Sequence, residues 1–193
     1  DVHMFAFKKK YFLMIKNIKN IDLSNIKKNG KFNIIYRFNK KYENVEKLFD
    51  FRRICKCKKI GFFVANDEKL AINLKADGIY LSTRNKKLSY LKFKNTKYKI
   101  IGAAHNIKEL NHKILQGCEN IFISRLFKTS YPFKTGYLGV VRYNLFCMIS
   151  KNKLTALGGI RLNNLNKLKL IKSNYVAFLS EIKKKPTISS RLF

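Results

Sequence analysis

Cysteine is scarce and poorly spaced for either of its usual structural uses. The four present, Cys55, Cys57, Cys118 and Cys147, include no C-x-x-C pair, which argues against both a disulfide framework and a zinc site. Cys55 and Cys57, flanked by Lys56 and Lys58, read as the end of a helix in a reducing cytoplasm. Long apolar runs are also missing: Lys or Asn interrupts every stretch within about a dozen residues, well below the roughly 18 to 20 that cross a bilayer. No membrane partner is therefore expected. At the amino end, Lys8, Lys9 and Lys10 follow the apolar residues instead of preceding them, the reverse of a secretory leader, and no small-residue cleavage site is present. Residues 1–10 read as a flexible basic start, with Met4 as the natural first residue and residues 1–3 as a tag scar.

What is abundant is positive charge. Forty-two Lys and Arg against 11 Asp and Glu give a net +31. Two readings stand: an anionic partner such as nucleic acid or a phosphorylated metabolite, or a solvated surface written in the Lys, Asn and Ile of an AT-biased genome. The lysines are spread along the chain, with no concentrated basic arm and no motif that reads RNA or DNA. A nucleic-acid partner is not expected, although a nucleic-acid-associated basic protein remains an alternative.

The chain has 193 residues, 46% of them hydrophobic, enough for one packed core. Short runs rich in Ile, Phe, Tyr and Val recur about every 20 to 25 residues, with helically spaced segments between them. They occupy residues 11–15, 32–38, 60–66, 78–82, 99–104, 120–124, 154–160 and 175–180. Nearly continuous hydrophobe is what strands covered on both faces require, and eight such strands alternating with helices predict an α/β TIM barrel over residues 11–183. Between strands, Asn106 and Glu109 read as a capping box that opens a helix with Ile107, Leu110 and Ile114 on one face. Leu162, Leu165, Leu168 and Ile171 form a similar stripe. After the eighth run, residues 184–193 form a tail interrupted by Pro186, so the barrel is expected to lack a full closing eighth helix. The apolar surface this leaves could be covered by a partner subunit, as in a homodimer.

In such a barrel the reactive groups lie at the carboxyl ends of the strands. Arg37 and Lys40, after the second run, offer a guanidinium and an ammonium to an anion. Asn66 and Asp67 end the third, where Asp67 either holds a hard cation or caps the next helix. His105 ends the fifth and is the only strand-end histidine, open to proton transfer or to a structural hydrogen bond. Lys128, Thr129 and Ser130 lie in a long polar loop after the sixth run, able to donate to a diphosphate. Gly158 and Gly159 end the seventh and either let the backbone approach a phosphate or make a tight turn, and Ser180 ends the eighth.

Taken in order, these strand ends resemble the thiamine phosphate synthase and thiazole tautomerase superfamily. The resemblance rests on Asn66-Asp67-Glu68-x-Leu70-Ala71, on Lys75-Ala76-Asp77-Gly78-Ile79-Tyr80-Leu81, on the Phe127-x-Thr129-Ser130 loop, and on residues 156–160 and 176–180. It implies a TIM-barrel transferase of thiamine biosynthesis that joins an aminopyrimidine diphosphate to a thiazole phosphate with magnesium and releases diphosphate. It further implies that Asp67 holds Mg2+ and that Asn66 and Arg37 contact the diphosphate end. Thr129 would bind diphosphate and position the substrates, while Gly158, Gly159 and Ser180 would cradle the thiazole phosphate. The chain departs from the pattern at Asn85, where the family has a second magnesium aspartate, and at Arg125 and Lys128, where it has prolines. Arg125 also stands where the tautomerase branch carries its catalytic histidine. Fixed cations at Arg84, Arg125 and Lys128 would then share the neutralisation of diphosphate. The alternative is a family member that binds a phosphorylated metabolite with different chemistry or none.

Overall fold

The computed structural model describes residues 9–26, 30–38, 43–129 and 136–178. The eight apolar runs become eight parallel strands: β1 Lys10–Ile15, β2 Phe32–Tyr36, β3 Gly61–Ala65, β4 Gly78–Leu81, β5 Lys99–Ala104, β6 Asn120–Ser124, β7 Lys153–Leu157 and β8 Tyr175–Phe178. Each pairs with its neighbours in sequence, and β8 returns to β1 with Lys10 opposite Tyr175 and Leu13 opposite Phe178, which closes the barrel. Alternate residues point inward, so each strand buries two faces. Inside the ring, Phe12 meets Phe122 edge-on at 4.9 Å between centroids, and Tyr80 meets the same ring at 5.5 Å. Outside it, Leu13, Ile34, Phe62 and Ile79 form the layer under the helices.

Four α-helices are present among the described residues: α1 Val45–Cys57 after β2, α2 Glu68–Asn73 after β3, α3 Ile107–Leu115 after β5 and α4 Gly139–Ile149 after β6. Asn44 opens α1 by accepting from the Glu46 N–H at 2.7 Å, and its apolar positions Leu48, Phe51 and Cys55 lie one turn or two apart on the buried face. The helix ends at Cys57, as the sequence predicted. Burial pushes the Cys55 thiol up to about 12. Short 3-10 segments, Ile18–Asn20, Leu23–Asn25 and Leu88–Phe93, follow β1 and β4.

A longer 3-10 segment, Leu162–Leu170, follows β7 where an α-helix was expected. The stripe at Leu162, Leu165, Leu168 and Ile171 repeats every third residue, which matches three residues per turn rather than 3.6. Leu168 and Ile171 are buried there.

The Ala76-Asp77-Gly78 segment has a packing role. Asp77 accepts from the Phe62 N–H at 2.7 Å and from Arg52 of α1 at 2.9 Å, joining a helix to two strands. A side chain at Gly78 would place its Cβ 1.9 Å from the Lys99 carbonyl oxygen, so β4 and β5 approach closely only with glycine there. The expected open place of the eighth helix falls on residues 179–193, outside the described residues, as does most of the basic start. Among the described residues no helix is long and apolar enough to cross a membrane.

Candidate active site

Because all eight strands are parallel, their carboxyl ends gather at one mouth of the barrel. Arg37, Asn66, Asp67, His105, Arg125, Lys128, Thr129, Gly158 and Gly159 lie on the loops that leave β2, β3, β5, β6 and β7 there. Lys40, Ser130 and Ser180 lie outside the described residues.

Hydrogen bonds gather the described groups into three clusters. The first joins the ends of β6 and β7. Arg125 Nη1 donates to Thr129 Oγ1 at 3.4 Å, and the Phe127 N–H donates to the Gly158 carbonyl at 3.1 Å. Both glycines are left-handed, with φ of 93° at Gly158 and 70° at Gly159. A Cβ on Gly158 would meet Arg125 Cγ at 3.2 Å, and one on Gly159 would lie 2.6 Å from the Lys128 carbonyl oxygen. The two glycines therefore serve packing: they let the loop that carries Arg125, Lys128 and Thr129 lie directly on β7. Asn164 Nδ2 donates to the Gly159 carbonyl at 2.8 Å and fixes the turn from beyond. Lys128 is exposed.

The second cluster joins β5 to β6. His105 Nδ1 lies 2.7 Å from Ser124 Oγ and 3.2 Å from the Ser124 carbonyl oxygen. Where the Ser124 hydroxyl donates to Nδ1, the ring proton lies on Nε2 and can be given up there. The His105 N–H donates to Glu109 Oε2 at 2.7 Å, while the Glu109 N–H donates to Asn106 Oδ1 at 2.9 Å, so the capping box closes one residue ahead of the cap.

The third joins β3 to β4. Asn66 adopts φ 58°, and its Oδ1 accepts from the Ser82 N–H at 2.9 Å and from Asn85 Nδ2 at 3.4 Å. That fixes the amide so that its Nδ2 donor is the end left for a ligand. Asp67 caps α2, its Oδ1 accepting from the Leu70 N–H at 2.9 Å. Its Oδ2 has no partner among the described residues and is available to a cation. Asn85 is turned into its own loop: Nδ2 also donates to Tyr90 Oη at 3.3 Å and Oδ1 accepts from the Lys87 N–H at 3.2 Å.

Arg37 follows β2, its N–H donating to the Ile15 carbonyl at 2.8 Å, and its guanidinium acts on the Tyr80 hydroxyl. Burial pushes that hydroxyl up to about 12, and the Arg37 charge works against the rise. Among the described residues no ion pair ties Arg37 to Asp67.

Two groups near the mouth escaped sequence reasoning. Glu43 accepts from Tyr36 Oη at 2.5 Å and from the Ile18 N–H at 2.9 Å, tying the β1 loop to β2. Lys113 and Gln116 of α3 and its C-terminal cap are buried, against the expectation that the apolar face of that helix is Ile107, Leu110 and Ile114. Ile107 and Ile114 are instead 42% and 38% exposed. His112 is half-buried, with Nε2 3.2 Å from the Lys86 carbonyl oxygen.

Comparison with known proteins gives a consistent family. The family model described as thiamine monophosphate synthase matches residues 23–182. A thiamine-phosphate synthase of Pelagibacter ubique is 30% identical over 72% of this chain and 69% of its own length. One of Prochlorococcus marinus is 27% identical over 67% of this chain, which spans only 38% of that relative's length. The solved structure of a thiamine phosphate pyrophosphorylase from Pyrococcus furiosus superposes with a TM-score of 0.75, covering 96% of this chain and 93% of that one at 17% identity, a likeness of fold.

Proposed function

The chain belongs to the thiamine monophosphate synthase family, and we propose that it joins an aminopyrimidine diphosphate to a thiazole phosphate and releases diphosphate. The observation that carries this reading is the seating of Arg125, Lys128 and Thr129 on Gly158 and Gly159, which sets cationic and hydroxyl donors beside a glycine turn at the barrel mouth. In the reaction the carbon–oxygen bond to diphosphate breaks, its electron pair leaves with the diphosphate, and the new bond joins the two heterocycles. The requirement on the protein is mainly electrostatic: donors fixed in advance where charge develops.

In this reading Arg37, Lys40 and the Asn66 amide hold the diphosphate, and Arg125, Lys128, Thr129 and Ser130 complete its surround. Gly158, Gly159 and Ser180 take the thiazole phosphate. His105, held at Nδ1 by Ser124, is the strand-end group able to hand a proton to the departing diphosphate. Magnesium commonly binds one or two carboxylates plus substrate phosphates, and a single carboxylate with one oxygen open, Asp67, fits that pattern. Bound there, Mg2+ would neutralise diphosphate charge. The free cysteines suit a cytoplasmic enzyme.

The test is formation of thiamine phosphate from the two substrates with magnesium, by the wild type and by Asp67→Asn. Asparagine keeps the helix-capping oxygen and removes only the charge, so the variant folds. Product from the wild type alone supports both the activity and the role of Asp67; equal turnover removes Asp67 from metal binding. The neutral Asn85 favours one rival, a barrel that binds a phosphorylated metabolite without this chemistry. No product, with thiazole phosphate still raising Tm, would decide for that rival.

A further inference from the structure

Lys113 is 1% exposed, the one lysine buried among the described residues. No carboxylate pairs with it among the described ion pairs. Three oxygens take its three protons: the Ser82 carbonyl at 2.8 Å, the Asn85 carbonyl at 2.7 Å and Gln116 Oε1 at 2.7 Å. Gln116, itself fully buried, donates from Nε2 to the Asn85 carbonyl at 3.1 Å and the Lys87 carbonyl at 2.8 Å. Room for the lysine stem is made at Gly102 of β5, where a Cβ would lie 2.8 Å from Lys113 Cδ and 2.8 Å from Cys118 Sγ. A buried ammonium is costly to desolvate unless its protons are all accepted, and here every proton is directed at one short loop or at the glutamine that grips the same loop.

That loop, residues 82–87, in turn holds Asn66, through the Ser82 N–H and Asn85 Nδ2. We propose that Lys113 and Gln116 are positioning residues: acting through the loop after β4, they fix the Asn66 amide with its Nδ2 donor toward the diphosphate. The inference rests on the reading of Asn66 given under Proposed function. It replaces a feature the family pattern places in this loop: a carboxylate that would act through a metal gives way to a neutral Asn85 locked in place by a cation from behind.

Inorganic diphosphate with magnesium is the probe, titrated calorimetrically into the wild type, Lys113→Met, Asn66→Ala and the double variant. Methionine keeps the stem and removes the ammonium. Lys113→Met is expected to weaken binding about tenfold, the scale of one hydrogen bond to a charged group. The double variant is expected to bind no worse than Asn66→Ala, because both changes remove the same contact. A merely structural lysine would lower Tm in both backgrounds and weaken binding additively. Amide exchange supplies a second reading: Lys113→Met should expose the Ser82 and Lys87 N–H groups, bonded to Asn66 and Asn85, with Gln116→Met as the substitute if the lysine variant does not fold. Additive losses, binding within twofold of wild type, unchanged exchange at Ser82, or no diphosphate binding by the wild type would each overturn the inference. Absence of thiamine phosphate from the wild type, with the binding pattern intact, would sink the proposed reaction and leave this clamp standing.

Discussion

A Cβ on Gly159 would lie 2.3 Å from the carbonyl oxygen of Phe127, closer than any side chain can come. The β6 loop and the β7 turn are therefore a single packed unit, and the cationic side of the mouth depends on one hydrogen atom at Gly159. Gly159→Ala should destabilise the protein by about 2 kcal/mol or more, from left-handed strain together with the clash, and should weaken thiazole phosphate binding as the loop lifts. Gly158→Ala, whose nearest neighbour is the Arg125 side chain at 3.2 Å, should be the milder of the two in urea unfolding.

Arg37 has a guanidinium with no ion-pair partner among the described residues, and the proposed reaction sets it on the diphosphate. Arg37→Ala should raise the KM for the pyrimidine diphosphate by about tenfold or more, the loss of a charge-assisted contact, with the KM for thiazole phosphate within about twofold. Equal changes in both would place Arg37 outside the diphosphate site.

His105→Gln should lower kcat by about a hundredfold, the low end for a general acid, because diphosphate leaves readily. A loss below about tenfold would return His105 to the role its bond with Ser124 already gives it, an anchor between β5 and β6.

Burial holds the Lys113 ammonium down to about 8, with Cys118 and Glu109 favouring the charge and Lys86 opposing it. The folded state thus binds its proton less tightly than the unfolded chain does. The stability this contributes is fully present above about 10.5, the ordinary lysine value, and is lost as pH falls through about 8. Compared with Lys113→Met, the wild type should gain Tm between pH 8 and pH 10; a constant difference would show that the lysine does not titrate in that window.

The strands were legible because burial on both faces leaves a continuous apolar record, as in Leu13, Met14 and Ile15 or Ile121, Phe122 and Ile123. The caps at Asp67 and Asn106 follow local chemistry that needs no tertiary partner. The helix face of α3 was misread because hydrophobicity is a poor guide when a lysine stem finds a glycine to lie against and carbonyls to receive its head. Nothing local announces that Gly102, Lys113 and residue 82 meet. The same holds for Asn85: the sequence shows only a missing carboxylate there, whereas its partners, Asn66, Lys87 and Tyr90, turn it into scaffolding.

The seam between β1 and β8 is where this fold guards against self-association. A ring of strands has no outermost member, so a sequence dense in Ile, Phe and Tyr offers no row of unpaired amides on which another copy could grow a sheet. Parting Tyr11 from Val176 and Leu13 from Phe178 would create two raw edges at once.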